Sequence, residues 1–128
     1  MEQKAKVLLI DDDEGFCFFV RKKLNDTGYF EVLTASKGTE GLELARTQWP
    51  DIILIDIVMP DLSGEEVAEK LNNQPETMDI PKIFLTALAA DEEPDIGVLK
   101  KIKGSHFIAK PLRPKDLMMA IRNILGKK

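Results

Sequence analysis

A chain of 128 residues has the length of one ordinary domain and can bury a core without disulfide or metal staples. Hydrophobic residues at 44% and charged residues of both signs at 31% place it among folded globular chains. The net charge of -4, with only short lysine pairs, argues against a nucleic-acid or anionic-membrane surface. Cys17 stands alone, which excludes a disulfide framework and a thiolate metal site and is compatible with a reducing cytoplasm, the expected location. No apolar run approaches the roughly 20 residues that a membrane span requires.

In chain order, short β-branched or Leu-rich runs alternate with segments of helical spacing, giving roughly five β/α units. A strand is expected from Val7 to Ile10, followed by a helix whose Phe16, Phe19, Val20 and Leu24 face the sheet. The second unit has a strand from Phe30 to Ala35 and a helix presenting Leu42, Leu44 and Ala45. The third has the run Ile52 to Ile55 and a helix carrying Val67 and Leu71. The fourth has a strand from Lys82 to Thr86, an acidic loop over Ala89 to Asp95, and a helix starting near Pro94 with Ile96, Leu99 and Ile102. A fifth strand from His106 to Ala109 precedes a last helix with Pro114 in its first turn and Leu117, Ile121, Ile124 and Leu125 on one face. Gly28, Pro50, Gly64, Pro81, Gly104 and Pro111 punctuate the junctions. The strands are apolar on both faces, as a parallel sheet covered by helices on each side demands, so the expected fold is a doubly wound α/β domain occupying the chain, 1–128.

In such a sheet, ligands bind outside the strand C-terminal ends. Those ends carry Asp11-Asp12-Asp13, Asp56, Thr86 and Lys110-Pro111. Oxygen ligands without His or Cys favour a hard cation, and Mg²⁺ commonly takes one or two carboxylates while keeping waters for a phosphate ligand. Asp56 closes an apolar run, and a lone carboxylate there costs several kcal/mol unless something compensates it. A cation beside Asp11 and Asp12, with the Lys110 ammonium, would do so. Asp56 is then the candidate nucleophile for an aspartyl-phosphate, with Lys110 and Thr86 contacting the phosphoryl oxygens.

These residues resemble the receiver domain of two-component response regulators, through VLLIDDDE at 7–14, DIILIDIVMPDLSG at 51–64, IFLTA at 83–87 and FIAKPL at 107–112. The resemblance spans essentially the whole chain, with the motifs in family order. It implies a flavodoxin-like (βα)5 sandwich with sheet order 2-1-3-4-5, and Asp56 as phosphoacceptor. It further implies Mg²⁺ held by Asp11, Asp12, Asp56 and the Val58 carbonyl, with Thr86 and Lys110 as the switch hydroxyl and phosphate-pairing lysine. Phe107 falls at the switch aromatic, and Lys110-Pro111 resembles a junction that is usually cis. The implied activity is acceptance of a phosphoryl group from a sensor histidine kinase or phosphotransfer protein. The resemblance further implies a domain that itself catalyses transfer and dephosphorylation and serves as a signalling switch rather than a metabolic enzyme. A downstream effector protein and a phosphorylation-dependent homodimer are the expected partners, read through the fourth helix, fifth strand and fifth helix. The chain stops just after the last helix, as in a stand-alone receiver or a piece of a longer regulator.

Three departures from the family pattern stand out. The segment from Thr86 to Lys110 is slightly long, Phe107 lacks the hydroxyl of the common tyrosine, and Val58 and Leu88 are apolar where polar side chains help position water. The last implies a long-lived phosphoryl-aspartate. Plainer roles are expected elsewhere: Asp13 and Glu14 at a helix start, His106 partly exposed at a sheet edge, Cys17 in helix packing, and at least one of Phe16, Phe18 and Phe19 exposed. A phosphatase of the haloacid-dehalogenase type would need an acid where Val58 stands. A flavin site lacks its Ser/Thr-rich loop, and a phosphorylation-independent scaffold is the remaining rival.

Overall fold

The computed structural model describes residues 4–86, 105–109 and 113–126. The elements run β1 (Ala5–Ile10), α1 (Glu14–Asp26), β2 (Phe30–Ala35), α2 (Gly38–Gln48), β3 (Ile52–Asp56), α3 (Gly64–Asn72), β4 (Lys82–Thr86), β5 (Ser105–Ala109) and α4 (Pro114–Leu125). The helix and acidic loop expected between Thr86 and Lys110 lie outside the described residues. All strand pairs are parallel, in the order β2-β1-β3-β4-β5. The doubly wound, flavodoxin-like arrangement is therefore as expected.

Because side chains alternate across a strand, each central strand feeds two cores. Val7, Leu9, Ile52, Leu54, Ile83 and Leu85 face Cys17, Val20 and Leu24 of α1 and Leu117 and Ile121 of α4. Leu8, Ile10, Ile53, Ile55 and Phe84 face Ala45 of α2 and Val67, Ala68 and Leu71 of α3. Each fully buried aliphatic side chain contributes about 1.5–3 kcal/mol, so these paired layers dominate the stability of the sheet. Lys82 opens β4 with its stem buried and Nζ donating to the Ile80 carbonyl at 2.7 Å. Burial pushes its ammonium down to about 8, against the opposing pull of Asp79.

Local chemistry sets the helix ends. Asp13 caps α1 by accepting from the Phe16 N–H at 3.0 Å, its expected role. Ser63 and Glu66 form a reciprocal capping box on α3. Pro114 opens α4, and Gly126 closes it at φ 71°. One expectation needs correction: Phe19 is 45% exposed rather than facing the sheet, with the Lys23 ammonium 5.8 Å from its ring centroid. The buried face of α1 is centred on Cys17, Val20 and Leu24, and a residue adjacent to Val20 is turned about 100° off that stripe.

Candidate functional site

The parallel register brings three acids to one edge of the sheet. Ile10 pairs with both Ala35 and Ile55, and the Asp11 N–H donates to the Ala35 carbonyl at 3.0 Å, so Asp11 leaves β1 already fixed. Its side chain is fully buried, its Oδ1 accepts the Asp13 N–H at 3.0 Å, and its carbonyl accepts from the buried Cys17 thiol at 3.3 Å. The next residue, Asp12, is exposed. Asp56 ends β3 with only 8% of its surface exposed. One carboxylate oxygen from each of Asp11, Asp12 and Asp56 lies within 4.8 Å of the others.

Three carboxylates so close repel one another, and two of them are withdrawn from water. A hard divalent cation suits this donor set: it is all oxygen, and Asp12 keeps the mouth open to solvent for metal-bound waters.

The loop after Asp56 is held close to it. The Ile57 N–H donates to the Leu85 carbonyl at 3.1 Å, extending the β3–β4 ladder, and the Gly64 N–H returns to the Ile57 carbonyl at 2.8 Å. A Cβ on Gly64 would stand 2.5 Å from the Asp56 carbonyl oxygen and 2.8 Å from the Ile57 Cα, so only glycine lets α3 start against the acid's own backbone. Between these ties, the Val58 N–H reaches Asp56 Oδ1 at 3.4 Å, Met59 is buried, and Val58 itself is 68% exposed.

Further out, Asp61 accepts from the Gly38 N–H at 2.9 Å and the Thr39 N–H at 3.1 Å, in the first turn of α2. These bonds, led by that from Gly38, hold its carboxyl down at about 2. Sequence alone does not mark Asp61 or Gly64 as a site residue. Gly64 is signalled by the Ser63-x-x-Glu66 capping pattern, but nothing local marks Asp61, whose partners lie 22 and 23 residues earlier.

The remaining predicted residues belong to β4, to β5 and to the segment between β5 and α4. Asp56 pairs with Leu85, which puts Thr86 one position beyond at the end of β4, opposite Ala109. Thr86 is described by its backbone; Leu88, Lys110, Pro111 and the junction between the last two lie outside the described residues. Phe107 pairs with Phe84, and their rings stack at 5.3 Å between centroids. It is half-buried against the α2–α3 core, an inward position without a phenolic hydroxyl. His106 is exposed on β5, as expected. A cavity of about 310 Å³ lies beside the acids, between α1 and the end of β2, lined by Glu14, Phe18, Arg21, Thr34, Ser36 and Glu40 among others. None of the three acids lines it.

Residues 7–122 match the family of the response regulator receiver domain. The chain is 33% identical over 122 residues to protein PilH of Pseudomonas aeruginosa, covering 95% of this chain and 98% of PilH. It is 35% identical over 127 residues to the probable transcriptional regulator ycf27 of Guillardia theta, covering 99% of this chain but 48% of that regulator. The chain thus spans about half the length of the transcriptional regulators it matches. Among solved structures, the chemotaxis protein CheY4 of Vibrio cholerae superposes with a TM-score of 0.85 at 30% identity, covering 95% of this chain and 99% of CheY4. The Francisella response regulator 1452 receiver domain superposes with a TM-score of 0.81 at 30% identity, covering 96% and 98%. No helix among the described residues is long and apolar enough to cross a membrane. With the parallel order 2-1-3-4-5 and the acids gathered at its edge, the chain belongs to the response regulator receiver domain family of two-component systems.

Proposed function

We propose that this receiver accepts a phosphoryl group on Asp56 from the phosphohistidine of a sensor histidine kinase or phosphotransfer protein. The observation that carries this reading is the meeting of Asp11, Asp12 and Asp56, from the ends of two strands, within 4.8 Å. Asp11, Asp12, Asp56 and the Val58 carbonyl would hold Mg²⁺, whose bound charge offsets the repulsion between the anionic donor and the acids. An Asp56 carboxylate oxygen forms the new O–P bond as the P–N bond of the donor breaks. The electron pair stays on the imidazole nitrogen, which takes a proton from water. Thr86 and Lys110 are assigned to the phosphoryl oxygens as hydroxyl and ammonium, on the support of the register that ends β4 beside Asp56 and of the family motifs that carry both residues.

Switching requires the phosphoryl group to contact one conformation better than the other, because only differential contacts move an equilibrium. Phe107, half-buried against Phe84, is the aromatic assigned to report that change. The reader is a downstream effector protein or a second copy of the chain, and the setting is the cytoplasm. The apolar, exposed Val58 offers nothing to orient water, which favours slow loss of the phosphoryl group.

Incubation with acetyl phosphate and Mg²⁺, followed by intact-mass measurement, tests the assignment. One phosphoryl adduct is expected on the wild type and none on Asp56→Asn. No adduct on the wild type, or an equal adduct on Asp56→Asn, would overturn it.

A further inference from the structure

The N-terminus of α2 lacks a cap of its own. Lys37 occupies the cap position in the extended conformation a cap requires, φ -136° and ψ 151°, but its side chain makes no capping bond. Glu40 Oε1 accepts the Ser36 N–H at 3.1 Å, which ties the first turn to the residue before the cap position. The acceptor for the first helical N–H groups comes from outside the helix: Asp61, in the β3–α3 loop, takes both the Gly38 and Thr39 N–H groups, one on each carboxylate oxygen. Beside this bond the two segments are in tight contact. A Cβ on Gly38 would lie 2.9 Å from Leu62 Cβ and 2.9 Å from Val67 Cγ2.

The same loop carries Val58, whose carbonyl is the one backbone ligand assigned to the metal. At its ends the loop is closed by the Gly64–Ile57 bond and the Ser63–Glu66 box, and Met59 is buried beneath it. On its outer turn, Asp61 ties it to a separate element. A carboxylate bonded through both oxygens is fixed in orientation as well as position, so α2 acts as a rigid stop for the segment after Asp56.

We propose that Asp61 is a positioning residue for the metal site: by clamping the β3–α3 loop to the start of α2, it holds the Val58 carbonyl where a divalent ion beside Asp56 needs it. This role rests on the assignment of Mg²⁺ to the three acids and adds a residue and a helix to it. Outer supports of metal ligands are commonly worth 10–100-fold in affinity, and an exposed clamp belongs at the low end of that range.

The rival explanation is that Asp61 merely caps α2, and the empty cap position at Lys37 separates the two. Three variants of the whole chain are compared with the wild type by calorimetric Mg²⁺ titration and by urea unfolding: Asp61→Ala, Asp61→Asn and Asp61→Ala with Lys37→Asp. Asp61→Ala is expected to weaken Mg²⁺ binding about tenfold and to lower the urea midpoint. Asp61→Asn, which keeps one accepting oxygen, falls between and serves if the alanine variant does not fold. In the double variant the new cap restores the urea midpoint, while Mg²⁺ binding stays weak because the loop is still untied. Recovery of Mg²⁺ affinity together with stability would overturn the proposal, as would wild-type affinity in both single variants. A wild type that binds no Mg²⁺ at millimolar concentration would overturn the assignment of the metal and this proposal with it.

Discussion

At the scale of the residue, Asp56 and Asp61 divide the work of one loop. Asp56 is set at the end of an apolar strand, where burial makes its charge costly and cation binding correspondingly favourable. Asp61 is exposed but doubly bonded, and the Gly38 and Thr39 N–H groups depress its carboxyl from 3.8 to about 2. Since the folded value lies below the unfolded one, the stabilisation is complete above about pH 4 and disappears as pH falls toward 2. The urea midpoint of Asp61→Asn should therefore lie below that of the wild type at pH 6, with the gap closing by pH 2. A gap that stays constant across that range would contradict the assigned bonds. Asp56 was legible in the sequence because an isolated acid after four aliphatic residues is anomalous by itself. Asp61 was not, because its partners are brought to it only by the packing of α2 against α3.

At the scale of the element, β2 and β4 fall where the sequence places them, since each is an apolar run bounded by residues that stop a strand. The third strand runs one residue further, to include Asp56, and the first begins two earlier, at Ala5, where its backbone still pairs with β2. Helix α1 shows what periodicity leaves undecided. Phe16 stands three positions before Phe19 and four before Val20, so spacing from Phe16 admits both, but only Val20 continues at Leu24; Cys17, three before Val20 and seven before Leu24, completes the buried stripe, its thiol donating to the buried Asp11 carbonyl. Helix α2 approaches the sheet through glycine: a Cβ on Gly41 would collide with Ile10 Cδ1 and stand 2.6 Å from its Cγ1. Gly41→Ala should therefore cost about 1–3 kcal/mol in urea unfolding despite its better helix propensity. Ile10→Val, which removes the offending Cδ1, should recover part of that loss. A Gly41→Ala chain as stable as the wild type would show that α2 does not sit against Ile10.

At the scale of the molecule, the parallel order β2-β1-β3-β4-β5 converts acids separated by 45 positions in sequence, Asp11 and Asp56, into neighbours. That convergence was readable as soon as five strands were recognised, because a parallel sheet sends every strand end to one edge. What the strand pattern does not encode is how the loop beyond Asp56 is braced, since that depends on contacts between helices of different β/α units. Family membership carries the receiver architecture. The proposed chemistry depends on the acids acting together on one cation and one phosphoryl group. Its most direct test is a crystal structure of the chain with Mg²⁺ and beryllofluoride, a mimic of the phosphoryl group. Beryllium is expected bonded to an Asp56 carboxylate oxygen, with a cation shared by Asp11, Asp12 and the Val58 carbonyl; a cation or fluoride group bound anywhere else, with these acids unliganded, would contradict the proposed chemistry.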